Sequence, residues 1–170
     1  MTTSNPLLQT WTLPPWTAIR TEHLVPAIET IISENRQALA DIITSQYAFP
    51  TWDDLVIAVD ETDARLSETL AIIETLNLVK QDDAWHVAIA GAREAASAYN
   101  AEKMSNKLLY QRYQQLVESP IAENFDESRT AVLSKILRSY RLSGIELDVE
   151  RQQQLMRINQ DISALERACS

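Results

Sequence analysis

Cysteine occurs once, at Cys169, so no intrachain disulfide can hold this fold, and such sparing use fits a reducing compartment. Glycine occurs twice, at Gly91 and Gly144, which leaves little room for tight hairpins and argues against a sheet. Histidine also occurs twice, and neither His23 nor His86 belongs to a His-Glu-x-x-His or His-x-x-x-His pattern. A catalytic zinc normally takes three protein ligands from histidine, carboxylate and cysteine. Two distant histidines and one terminal cysteine do not make that set, so no metal ligand is assigned and each histidine reads as a cap or surface residue. No apolar run approaches the ~18 residues of a membrane span. Gly-rich phosphate loops and nucleophile elbows are missing too. Basic residues are outnumbered, 15 against 24 acidic, and a net charge of −9 repels phosphate backbones. Neither nucleic acid nor a membrane is an expected partner.

What the chain does contain is helix-forming material. With 170 residues, 45% of them hydrophobic, it fits one domain, and a domain near this size buries roughly 70% of its unfolded surface without disulfides. Alanine, leucine, glutamate, glutamine and arginine, all good helix formers, are abundant along its length. The expected fold is all-α, an antiparallel bundle of about six helices with an extended N-terminal arm. Residues 1–20 form that arm, whose prolines at 6, 14 and 15 keep the backbone extended and whose Trp11 and Trp16 are its expected anchors. Exposed tryptophans would serve equally as a partner patch. Residues 21–147 are expected to form the helical domain, and 148–170 a helix leading onward.

Apolar spacing places the helices. The first is expected from about Pro26, a residue suited to a first turn, to Gln46, with Ile28, Ile31, Ile32, Leu39, Ile42 and Ile43 as its stripe. Thr51 followed by Asp54 looks like a helix start, and the second helix reads from 52 to about 79. A third, about 83–103, presents Trp85, Ile89, Ala92, Ala96 and Tyr99, with Gly91 kept inside it by close packing. A fourth spans 106–118. A fifth, about 127–142, carries Val132, Ile136 and Tyr140 and ends at a left-handed Gly144. From about Asp148 the last helix offers Leu155, Ile158, Ile162, Leu165 and Cys169 as a narrow seam.

Carboxylates are plentiful at Asp53, Asp54, Asp60, Glu61, Asp63, Asp82 and Asp83. An acid–base pair needs two carboxyls in distinct environments, one of them desolvated. These lie on charged faces or at helix starts, where they suit the dipole. Cys169 has no histidine near it in sequence and is a poor nucleophile candidate. No catalytic or cofactor-binding residue is assigned, and the chain is expected to be inactive alone.

Several stretches, taken in order, resemble the N-terminal helical region of the oligopeptidase A and thimet oligopeptidase family of zinc metallopeptidases. "NPLLQTWTLPPW" with "IRTEHLVPAIETII" is similar to that family's opening arm and first helix. "YAFPTWDDL" resembles its Thr-Trp-acidic start of a long second helix, and "LNLVK" and "NKLLYQRYQQL" its next landmarks. "YRLSGIELDVERQQQL" is the most specific, resembling a Leu-Ser-Gly-Ile turn and the helix after it. The resemblance implies one wall of a deep channel that admits short peptides and excludes folded proteins. It also implies a catalytic domain as partner, with zinc and the His-Glu-x-x-His helix in that later segment, so none of those residues maps onto this sequence. Asp148-Val149 stands where relatives commonly have proline, and "DISALERACS" departs from the usual continuation. Two alternatives stay open: a stand-alone helical module binding a protein or peptide, and a homodimer through exposed apolar faces. A cytoplasmic location is expected.

Overall fold

The computed structural model describes residues 4–80 and 82–168. Among them are six α-helices and no strand: α1 (Thr21–Ser45), α2 (Ala58–Val79), α3 (Asp83–Met104), α4 (Lys107–Glu118), α5 (Glu127–Leu142) and α6 (Val149–Ala168). The fold is all-α. Its contacts fall into two compact units, Met1–Glu102 and Lys103–Ser170.

In the first unit the arm is held by Leu7 and Ile19, both buried, more than by its tryptophans: Trp11 is half-buried and Trp16 is 42% exposed. The Asn5 side-chain amide donates to the His23 carbonyl at 2.8 Å and ties the arm to α1. That helix begins five residues before the expected Pro26. The Arg20 N–H donates to His23 Nδ1 at 3.0 Å, and the His23 N–H donates back to the Arg20 carbonyl at 3.0 Å, which caps the first turn. Pro26 then lies inside the helix, near enough to its start that only one N–H is lost from the ladder.

Beyond α1 the connection of residues 46–51 reaches at most about 20 Å, too short to span a 25-residue helix of about 37 Å. α2 must therefore turn back along α1. Thr51 Oγ1 accepts the Asp54 N–H at 3.1 Å, the start expected from their spacing. What spacing could not reveal is that residues Trp52–Ile57 are wound as a π-helix before Ala58 begins the regular α2. α3 runs in the direction of α1, since Val25 packs against Gly91 and Arg36 pairs with Glu102, eleven residues further along both helices. A Cβ on Gly91 would sit 3.0 Å from Val25 Cγ2, so the glycine permits the close approach of these helices. The core of this unit is made by Leu24, Ile28 and Ile31 of α1, Ile73 of α2 and Ile89 of α3, all almost completely buried.

The second unit is built on α4 and α5. Asn106 and Asp126 cap them by accepting the N–H groups of Leu109 (3.0 Å) and Arg129 (2.8 Å). On α4, Leu109, Tyr113 and Leu116 are buried, and the buried face of α5 is Leu133, Leu137 and Tyr140, not the expected Val132, Ile136 and Tyr140. Val132 is 42% exposed and Ile136 half-buried. Two adjacent apolar rows end at Tyr140, and packing selects the row one residue along. Tyr140 stacks, tilted, near Tyr110 and Tyr113, with ring centroids 5.4 and 6.0 Å away.

Three polar atoms of the first unit, Trp11 Nε1, the Asn35 side-chain nitrogen and the Tyr99 hydroxyl, are buried without a hydrogen bond of ordinary geometry. Burial, and next the charge of Asp63, push the Tyr99 phenol up to about 12, with Asn35 holding it back slightly. The fold therefore favours the neutral hydroxyl. This contribution to stability is fully present below pH 10, the ordinary phenol value, and is lost as pH rises toward 12. In an ultraviolet pH titration, the tyrosinate signal that Tyr99→Phe removes is expected near pH 12. If that signal develops near the ordinary value while helical circular dichroism is intact, the burial described for Tyr99 is wrong.

Candidate functional site

The junction between α5 and α6 concentrates the least ordinary features of the second unit. Gly144 has φ +84°, the left-handed region, and is the sole described residue with a positive φ. The Ile145 N–H donates to the Tyr140 carbonyl (3.4 Å) and the Gly144 N–H to the Arg141 carbonyl (3.0 Å), which is the Schellman closure of a helix. The Ser143 hydroxyl donates to the carbonyl of Tyr140 (2.7 Å) and is within reach of that of Met104 (3.1 Å), both in the second unit. The Glu146 carboxylate accepts from the Tyr110 hydroxyl and from Arg141 Nε. Burial first, and then that carboxylate, raise the Tyr110 phenol above its ordinary value.

α6 leaves this turn with Asp148 Oδ1 accepting the Arg151 N–H at 2.8 Å and Gln152 Nε2 donating to the Gly144 carbonyl at 3.0 Å. Between them lies a cleft of about 160 Å³, lined by Met104, Lys107, Ile145, Gln152, Leu155 and Asn159 among others. That is below the ~300 Å³ at which small-molecule pockets begin. Farther along α6, Met156, Ile158, Ile162 and Leu165 are 47–66% exposed. The seam read from the sequence is thus an open apolar face; its last member, Cys169, lies outside the described residues. Sequence reasoning missed other exposed apolar groups, Tyr47 and Phe49 after α1 and Leu78, Val79 and Val87 around the α2–α3 connection. For Leu78, Val79 and Val87 the signal was an apolar residue lying off its helix's stripe.

Polar candidates from the sequence are dispersed. Asp54 and Asp82 serve helix starts, the latter accepting the Trp85 N–H at 3.0 Å. His23 uses Nδ1 in the cap of α1, and His86 is exposed on α3. Glu74 and Glu102 are held below the ordinary carboxylate range by hydrogen bonds to Arg93 and Arg36, in exposed pairs that join helices of the first unit. Among the described residues no three histidine, cysteine, aspartate or glutamate side chains gather where a metal could bind.

A model of the neurolysin/thimet oligopeptidase N-terminal domain matches residues 28–152. The chain belongs to that family. The match runs from the first turns of α1, through both compact units and the Gly144 turn, to the start of α6. Oligopeptidase A of Haemophilus influenzae is 30% identical over 165 residues, covering 97% of this chain and 24% of the relative. Oligopeptidase A of Escherichia coli K12 is 28% identical over 162 residues, covering 95% and 24%. The organellar oligopeptidase A, chloroplastic/mitochondrial, of Arabidopsis thaliana is 26% identical over 162 residues, covering 95% and 20%. The chain thus spans about a quarter of the length of the curated relatives it matches. No helix among the described residues is long and apolar enough to cross a membrane.

Proposed function

We propose that this chain is the non-catalytic helical wall of a zinc-dependent oligopeptidase of the oligopeptidase A kind, lining a channel through which short peptides reach the catalytic segment. The family match over residues 28–152 carries the reading. The dispersal of His23, His86 and the carboxylates supports assigning zinc and its ligands to that other segment, and no step of hydrolysis is assigned to residues of this chain. The catalytic domain is its proposed partner, short peptides the proposed substrate class and the cytoplasm its proposed location; sparing use of cysteine supports the last.

The purified chain is expected to hold no stoichiometric zinc by elemental analysis and to leave a short quenched-fluorescent peptide uncut. One zinc per chain together with cleavage would overturn the non-catalytic assignment. A second reading, a free-standing module that takes a partner helix or peptide, is favoured by the exposed apolar face of α6. Retention of a helical partner at physiological salt, with no gain of peptidase activity when a catalytic segment is supplied, would favour that reading. Self-association through the same face predicts a dimer in sedimentation equilibrium; a monomer at high concentration counts against it.

A further inference from the structure

We draw no further inference here: the strongest candidate, the exposed apolar face of α6 formed by Met156, Ile158, Ile162 and Leu165, carries nothing because nothing in the structure shows what covers it.

Discussion

Gly144→Ala is expected to destabilise the protein by about 2 kcal/mol, because an L side chain in the left-handed region costs about 1–2 kcal/mol before any contact is considered. Contact adds to it. A Cβ at this position would lie 2.7 Å from Leu155 Cδ2 and 3.2 Å from Leu147 Cδ1. Both atoms end flexible side chains, so the clash is relieved by movement of Leu155, at the expense of the packing between the turn and α6. In thermal unfolding the loss corresponds to a drop of about 4–8 °C. Asparagine tolerates the left-handed region better than alanine, so Gly144→Asn should lose about half as much. A double-mutant cycle between positions 144 and 155 separates backbone strain from the clash, since only the clash depends on Leu155. Equal stability of Gly144→Ala and the unaltered protein would mean that the turn does not set the path of α6.

Ile31→Ala is expected to have the larger effect on the first unit. Ile31 is completely buried on α1. Truncation of such a residue removes its transfer free energy and leaves a cavity, costing about 2–5 kcal/mol, whereas Ile31→Val should cost about 0.5–1.5 kcal/mol. Ile162→Ala on α6 makes the control. Its side chain is 47% exposed, so the change should stay within about 0.5 kcal/mol. Denaturant unfolding measures all three. If Ile162→Ala proved as costly as Ile31→Ala, the face of α6 would be covered in solution, and the cost would then depend on protein concentration if a second copy covers it.

Much of this architecture is written in short-range signals. Thr51 with Asp54, and Gly144 after a helical run, each specify a helix end through one local hydrogen-bond pattern. Of the stripe of α3, Ile89, Ala92, Ala96 and Tyr99 are buried as their spacing implies, while Trp85 is half-buried. Misreadings arose where local rules permit two answers. Proline suits a first turn, yet the Arg20–His23 exchange starts α1 earlier and leaves Pro26 inside. Val132 with Ile136 and Leu133 with Leu137 make equally good rows on α5, and tertiary packing buries the second. Arg112 is buried beside Gln115, and Asn35 beside Tyr99, although nothing in their spacing sets them apart from surface residues.

The candidate surface was half legible. The three-and-four spacing of Leu155, Ile158, Ile162 and Leu165 marks a seam in the sequence, because helical geometry alone puts these residues on one face. Whether a seam is covered depends on what packs there, and periodicity carries no such information. The π-helix of Trp52–Ile57 was not legible, since its residues have the same stripe as an ordinary helix start.

Channel-wall function is tested most directly by a chimera in which this chain replaces the matching quarter of Escherichia coli oligopeptidase A. The account predicts that the zinc-loaded chimera cleaves a short quenched-fluorescent peptide and spares a folded protein. A folded chimera that keeps its zinc but cleaves no peptide, beside an active unaltered enzyme, would contradict it.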